Sequence, residues 1–234
     1  MHINDSVALV TGANRGLGRA WCEALLAAGA RKVYAAARNG ASVTLAGVIP
    51  VELDVTDPAQ VARAVQQCGD VTLLVNNAGV LRGGDLLSAP GLLAAREELD
   101  INLFGPLAMC TAFAPVLAGN GGGAILNVLS VLSWISLPGS ASYSISKAAA
   151  WAMTNGLRLA LHEQGTLVTA LHVGFMDTDM TRGLDVPKTA PSEVARLGLA
   201  AIEAGESEVL GDDFSRQVRQ GLSAHPAVYL NLPS

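Results

Sequence analysis

Tyr143-Ser144-Ile145-Ser146-Lys147 places a phenol and an ammonium four positions apart. In a helix, residues i and i+4 lie one above the other, so both groups project the same way. A free tyrosine, with a pKa near ~10, is a poor acid or base at neutral pH. A cation beside it favours the phenolate and lowers that pKa. Such a pair can exchange a proton with an oxygen on a bound molecule. The spacing also occurs by chance, so its meaning depends on what surrounds it.

Short apolar runs alternate along the chain with longer helical patterns. Strands are expected at Val7–Val10, Lys32–Ala36, Val48–Leu53, Val71–Val75, Ala124–Leu129 and Leu167–His172, with a short one at Glu208–Leu210. Helices are expected at Gly16–Ala28, after Asp57-Pro58, at Leu92–Leu117, at Ser142–His162 and at Ser192–Ala204. Continuous apolar strands separated by helices indicate a parallel sheet covered on both faces. Right-handed crossovers then give an α/β, Rossmann-type, doubly wound sheet of about seven strands. No composition shift or repeat divides residues 1–234, which read as one domain ending in a tail from about residue 212. The aperiodic segment Phe175–Pro191 follows a strand's C-terminal end and reads as a mobile lid.

Half the residues are hydrophobic and 15% are charged, a core-rich composition and not a disordered one. The net charge of -5 argues against a nucleic-acid partner, which needs a basic face. Cys22, Cys68 and Cys110 are scattered and form no C-x-x-C, so they read as small buried hydrophobes in a reducing compartment. No metal site is expected. The N-terminus shows no signal peptide pattern, and the most apolar run, Phe104–Ala118, contains Pro106 and Pro115. It reads as a buried or interface helix rather than a membrane span, which implies a cytoplasmic location.

Thr11-Gly12-Ala13-Asn14-Arg15-Gly16-Leu17-Gly18 leaves the first strand and opens the first helix. Gly12 permits a tight turn, Gly16 has no Cβ to block a pyrophosphate, and Gly18 lets the helix pack on the sheet. The helix N-terminus offers unpaired N–H groups and a partial positive charge to phosphates.

The pattern T-G-x-x-x-G-x-G resembles the cofactor motif of the short-chain dehydrogenases/reductases. Asn76-Asn77-Ala78-Gly79 resembles that family's N-N-A-G, which holds the central sheet and lines the adenosine side of the cofactor. Asn77 is expected next to the cofactor. Asp54-Val55 stands where the family bonds the adenine ring; Asp54 reads equally as a helix cap. Ser130, thirteen positions before Tyr143, matches the serine that bonds the substrate oxygen. Asn102 matches the asparagine that kinks a helix and supports a proton relay to the lysine. Gly174 and Thr178, in His172-Val173-Gly174-Phe175-Met176-Asp177-Thr178, match a P-G-x-x-x-T segment whose threonine bonds the nicotinamide carboxamide. Val173 departs from the pattern, standing where proline is usual. The resemblance covers about residues 5–210. It implies that Asn102, Ser130, Tyr143 and Lys147 are catalytic.

The second strand ends in Tyr34-Ala35-Ala36-Ala37-Arg38, with no carboxylate for a ribose 2′-OH. Arg38 and Arg15 are instead two planar cations suited to a 2′-phosphate. NADP(H) is therefore expected, with NAD(H) through Asn39 as the alternative. The function implied is an NADPH-dependent oxidoreductase interconverting a carbonyl compound and its alcohol. The alternatives are an NAD-dependent alcohol dehydrogenase on the same site and a non-catalytic NADP-binding module. Pocket walls are expected from Leu81–Leu87, Val131–Leu137 and Phe175–Leu184, with Trp134, Phe175 and Met176 prominent, so an apolar or aromatic small-molecule substrate is expected. The apolar helices Leu92–Leu117 and Ser142–His162 point to a homodimer or homotetramer.

Overall fold

A computed structural model describes residues 1–230. Seven parallel strands lie in the order β3-β2-β1-β4-β5-β6-β7: β1 (Val7–Thr11), β2 (Lys32–Ala37), β3 (Ile49–Glu52), β4 (Leu73–Asn76), β5 (Ala124–Val128), β6 (Leu167–His172) and β7 (Glu208–Leu210). The order reverses between β1 and β4. In such sheets the carboxyl ends of the strands at this point leave a crevice where ligands bind. This is the doubly wound α/β sheet expected of the apolar strand runs.

Alternation along each strand builds a core on either face. Ala8, Val10, Val33, Val75 and Leu126 pack with α1 (Gly16–Ala27) and α6 (Pro191–Ala204) through Leu17, Trp21, Leu25, Val194 and Ile202. Leu9, Tyr34, Leu74 and Ile125 pack on the other face with α2 (Pro58–Gln67) and α4 (Gly105–Gly119) through Val61, Met109, Phe113 and Leu117. Local signals set the helix ends. Asp57 accepts from the N–H groups of Ala59 and Gln60 at the start of α2, directly before Pro58. Gly205 ends α6 in the left-handed conformation at φ 74°.

Three departures from the sequence reading have local causes. The long helix is α3 (Ala89–Leu99) and α4, joined by a wide π-type turn at Asp100–Phe104 that carries Asn102. The longer rod Ala89–Gly119, of which Phe104–Ala118 is a part, is long and apolar enough by length and composition alone to cross a membrane. Met109, Cys110, Phe113 and Leu117 are fully buried on the sheet, as in a core helix, whereas Leu92, Leu93 and Phe104 stay exposed. β5 stops at Val128, and Ser130 opens a tight turn (Val131–Ser133) instead of ending the strand. The stretch read as a tail contains α7 (Asp213–Gly221), capped by the Asp212 carboxylate on the Ser215 N–H. Of the tail, Asn231 to Ser234 lie outside the described residues.

All three cysteines are buried and free, with their thiol pKa values pushed up to about 12 chiefly by burial. Two helices meet where α6 crosses α1. A Cβ on Gly198 would overlap the fully buried ring of Trp21. Gly198→Ala is expected to cost about 1–3 kcal/mol through overpacking. A thermal melt should show a Tm several degrees lower; an unchanged Tm would mean that the crossing is looser than described.

Candidate active site

The glycine-rich turn leaves β1 with Gly12 and Gly16 both at positive φ, 65° and 52°. Only glycine adopts this region without strain. A Cβ on Gly18 would overlap the Gly12 carbonyl and stand 2.7 Å from the Asn77 amide nitrogen, so α1 meets the turn backbone to backbone. No side chain caps α1, whose N-cap is Arg15. Its first N–H groups are left for another acceptor. A bare helix start beside two glycines fits a pyrophosphate. Leu17 packs its side chain in the core, so only its backbone can serve this site. Asn14 is half-buried in the same turn.

The β4 end closes onto this turn. The Asn77 and Ala78 N–H groups both donate to the Thr11 hydroxyl at 3.0 Å, and Asn77 Nδ2 donates to the Thr11 and Gly12 carbonyls at 2.9 and 3.2 Å. Asn76 is instead buried between strands and donates to Asn127 Oδ1 at 2.9 Å. Asp54 accepts from the Thr56 N–H and hydroxyl, while Asp57 caps α2. Val55 is buried against Gly105 of α4, leaving its backbone as its part of any adenine site.

Arg38 is exposed directly after β2. Arg15, expected on the same side, pairs with Asp179 of the segment after β6 at 3.1 Å. Both side chains are well exposed. Such a pair contributes about 0–1 kcal/mol, so the guanidinium can exchange it for a phosphate. The Asn39 side chain accepts from the Ala41 N–H in a tight turn.

The polar cluster sits at the other end of the crevice, on α5 (Ala141–Ala160). Tyr143 and Lys147 share a face of this helix and are almost completely buried, with Lys147 Nζ 5.6 Å from the Tyr143 ring centroid. Lys147 donates to the Val128 carbonyl at 2.8 Å. Asn102 accepts from the Val80 N–H at 2.8 Å and donates to the Val80 carbonyl and Ser146 hydroxyl, both at 2.9 Å. It thereby holds Gly79, where an added Cβ would lie 3.8 Å from Lys147 Nζ. The Ser130 hydroxyl accepts from the Leu132 N–H at 3.1 Å.

Burial pushes the Tyr143 phenol up; the buried Glu98 carboxylate adds to this and the Ser130 hydroxyl partly offsets it. Burial pushes Lys147 down to about 8. The sequence argument weighted the cation beside the phenol. In the protein itself desolvation dominates, because both groups have left water.

Gly174 and Thr178 follow β6. Gly174 N–H donates to the Asp212 carboxylate at 2.6 Å. Thr178 approaches the glycine-rich turn, its Cγ2 lying 3.5 Å from where a Gly16 Cβ would stand. Trp134 is buried: its ring stacks on the buried His172 imidazole at 3.8 Å and meets Trp151 edge-on. Phe175 stacks on Phe214 of α7, and Met176 packs against the α1–α6 core.

Three residues escaped the sequence reading. Glu98 stands one turn before Asn102, and only its i, i+4 spacing to that residue marked it. Asp212 had a detectable signal, an acidic residue before a helix at the end of a strand. His172 was noted only as a strand end. Its Nδ1 lies 3.1 Å from the Ser130 carbonyl, which accepts, so that nitrogen carries the proton.

The chain belongs to the short-chain dehydrogenase family, whose pattern matches residues 6–188. It is 33% identical over 225 residues to the 3-oxoacyl-(acyl-carrier-protein) reductase of Synechocystis sp., covering 90% of this chain and 91% of that one. It is 34% identical over 210 residues to the 1-deoxy-11-beta-hydroxypentalenate dehydrogenase of Streptomyces exfoliatus, covering 83% and 76%. A short chain dehydrogenase from Burkholderia cenocepacia, solved in complex with NADP, superposes with a TM-score of 0.92 at 46% identity over 97% of this chain and 96% of that one. One from Burkholderia phymatum in complex with NAD gives 0.84 at 25% identity over 100% and 99%. The chain is an oxidoreductase of this family.

Burial lowers the His172 pKa to about 4 from the ordinary 6.5. The unfolded chain therefore binds the extra proton first, and stability falls as pH drops from 6.5 towards 4. Between about pH 7 and pH 5 the loss from this group is about 2 kcal/mol. Urea midpoints at the two pH values should converge in His172→Gln relative to the wild type; an equal pH dependence in both would show that His172 titrates normally.

Proposed function

We propose that the chain is an NADPH-dependent reductase that interconverts an apolar or aromatic ketone or aldehyde with its alcohol. The observation that carries this reading is the buried Tyr143–Lys147 pair on one face of α5. Asn102 braces the adjoining loop, and the pair shares its crevice with the bare N-terminus of α1. A bound nicotinamide supplies the hydride. Tyr143 holds a proton on its hydroxyl, and burial keeps that proton in place near neutral pH. It is then available to the substrate oxygen when the carbonyl is reduced. Ser130 orients that oxygen by hydrogen bonding. Lys147, held on the Val128 carbonyl, would bond the nicotinamide ribose and stabilise the phenolate left behind. Asn102 fixes Gly79 and Val80 beside the lysine and supports resupply of the proton.

The cofactor follows from the charges near the β2 end. Arg15 and Arg38 suit a 2′-phosphate, the end of β2 has no carboxylate, and the Asn39 oxygen is engaged in its own turn. The solved relative from Burkholderia cenocepacia holds NADP. Gly12, Asn14, Gly16 and Gly18 would receive the pyrophosphate; Asp54, Val55, Asn77, Ala78 and Gly79 would line the adenosine side; Gly174 and Thr178 would hold the carboxamide. Leu81, Leu86, Met180, Leu184 and Val186 expose apolar surface on the segments after β4 and β6, which supports an apolar substrate. The two curated relatives are named for a 3-oxoacyl and a hydroxypentalenate compound.

NADPH oxidation measured against a panel of ketones, β-keto esters and quinones, with NADH in parallel, tests the reading. Turnover should favour NADPH. Tyr143→Phe should lower kcat by about a hundredfold or more. A silent panel, or full rate in Tyr143→Phe, would end it. Arg38→Ala should raise KM for NADPH about tenfold and leave KM for NADH unchanged, the loss of one charge-assisted phosphate contact. Equal effects on both cofactors would remove the 2′-phosphate assignment.

A further inference from the structure

His172 is the last residue of β6 and is fully buried, yet it takes no part in the proton chemistry at Tyr143. Its imidazole meets the Ser130 turn at both ends. Nδ1 donates to the Ser130 carbonyl at 3.1 Å, in the interior. The ring lies flat on Trp134, directly after the turn, with centroids 3.8 Å apart and planes at 19°. Burial holds the ring neutral at pH 7, its pKa lowered to about 4, so it has one N–H to give. The other nitrogen, Nε2, is buried without a hydrogen-bond partner among the described residues. It stands 3.8 Å from a carboxylate oxygen of Glu208, too far for a hydrogen bond, and Glu208 itself pairs with Arg219 at 3.0 Å. The single donor is therefore spent on Ser130.

Two kinds of bond hold Ser130. Three lie within the turn. The Leu132 N–H donates to the Ser130 hydroxyl at 3.1 Å, the Ser130 N–H to the Ser133 hydroxyl at 3.4 Å, and the Ser133 N–H to the Ser130 carbonyl at 3.0 Å. They set the shape of the turn and the direction of the hydroxyl within it. A hydroxyl that accepts from Leu132 keeps its own proton for another acceptor. They do not set where the whole turn points. That depends on bonds to the next strand. The Leu129 and Val131 N–H groups reach the Leu171 and Val173 carbonyls at 2.7 and 3.0 Å, on either side of Ser130. His172 lies between those two acceptors in the chain and takes the carbonyl of Ser130 itself. On its other side the turn packs on α5, where Val131, Leu132 and Trp134 cluster with Tyr143. A shift of the turn on β6 thus moves the Ser130 hydroxyl relative to the phenol.

We propose that His172 is a positioning residue that aims the Ser130 hydroxyl at the substrate oxygen through its Nδ1–H bond to the Ser130 carbonyl. This rests on the reading of Ser130 as the group that orients that oxygen. The bond lies in a poorly screened interior, where it is strong when made and costly to lose. Its loss leaves the carbonyl with the Ser133 N–H alone and loosens the turn on β6.

His172→Asn keeps a donor at the place of Nδ1 and loses the ring. His172→Leu has similar branching and no donor. His172→Phe keeps a ring for Trp134 and has no donor. Thr169→Val controls for damage to β6: the buried Thr169 hydroxyl, earlier on the same strand, donates to the Glu206 carbonyl at 2.8 Å. Each variant is measured for kcat and KM in NADPH-dependent reduction of ethyl acetoacetate, or of the fastest ketone of the panel, and for the Kd of NADPH by fluorescence titration. The His172 variants are measured again in a Ser130→Ala background. Nitrogen-15 labelling of histidine reads the tautomer by NMR without a substrate; His2, His162 and His225 are exposed, so the buried ring is distinguishable.

His172→Leu and His172→Phe should lower kcat/KM for the ketone about ten- to a hundredfold at an unchanged Kd for NADPH, the effect of misplacing a group that orients the substrate. His172→Asn should recover most of that loss, and Thr169→Val should keep the wild-type value. In the Ser130→Ala background the His172 variants should lose little more, because the group they misplace is gone. The NMR spectrum should show a slowly exchanging proton on Nδ1. If His172→Leu does not fold, His172→Phe reads the same loss. Full activity in both donorless variants, an equal loss in His172→Asn and His172→Leu, or an equal loss in Thr169→Val overturns the proposal. So does an undiminished further loss in the Ser130→Ala background, or a proton on Nε2. Full activity in Ser130→Ala itself would overturn the underlying reading of that serine instead.

Discussion

The hydroxyl of Thr11 closes β1 onto β4, and the crevice depends on that closure. At the carboxyl edge of a parallel sheet the ladder runs out and backbone N–H groups lose their partners. Thr11 takes two of them, from Asn77 and Ala78, and Asn77 returns its amide to the carbonyls of Thr11 and Gly12. This reciprocal lock sits where the strand order reverses. It fixes the glycine-rich turn from below, so Gly12 and Gly18 must be bare: a side chain at either would strike the other half of the lock. The open N-terminus of α1 is then a consequence of packing as much as a feature for binding.

The same problem is solved differently on the β5–β6 side. Pairing continues past both strand ends, with Leu129 N–H to the Leu171 carbonyl at 2.7 Å and Val131 N–H to the Val173 carbonyl at 3.0 Å. Gly211 N–H bonds the His172 carbonyl at 2.7 Å, and Asp212 takes the Gly174 N–H while capping α7. Val173 stands where a proline is usual in the resembling families of sequences. Proline stiffens a turn by fixing φ. Here a carboxylate and an extended ladder hold the turn from outside, and α7 with its Phe214–Phe175 stack becomes part of the support. The stretch read as a tail is therefore tied to the segment that follows β6.

What the sequence made legible follows from the range of the interactions. The strands and most helices were readable because apolar periodicity is local, and β6 and β7 match their expected bounds residue for residue. The glycine-rich turn was readable because each glycine answers a steric demand at a fixed offset. Tyr143 and Lys147 could be placed together by helical spacing alone. The long-range partners were not readable. Nothing near Trp134 in the sequence says that its ring will lie on His172. Arg15 was correctly put at the turn, yet its present partner, Asp179, lies far along the chain. The balance at Tyr143 was misjudged for a related reason. A neighbouring cation is visible in sequence, whereas the extent of desolvation is a property of the whole fold.

That balance links stability to chemistry. Removing a phenol, an ammonium, an imidazole and a carboxylate from water in one region costs free energy that packing elsewhere must offset. Each of the four is held by backbone or sits against one that is: Lys147 on the Val128 carbonyl, His172 on the Ser130 carbonyl, and Glu98 on two loop N–H groups. Backbone partners carry no net charge. They satisfy hydrogen bonds without neutralising the groups, so the charges act on one another through a poorly screened interior. A change of charge at one of these groups is therefore felt at the others. A site built from surface ion pairs, like Arg15 with Asp179, would screen that influence away. Burial is therefore the first cause of the phenol's raised proton affinity, ahead of any neighbouring charge.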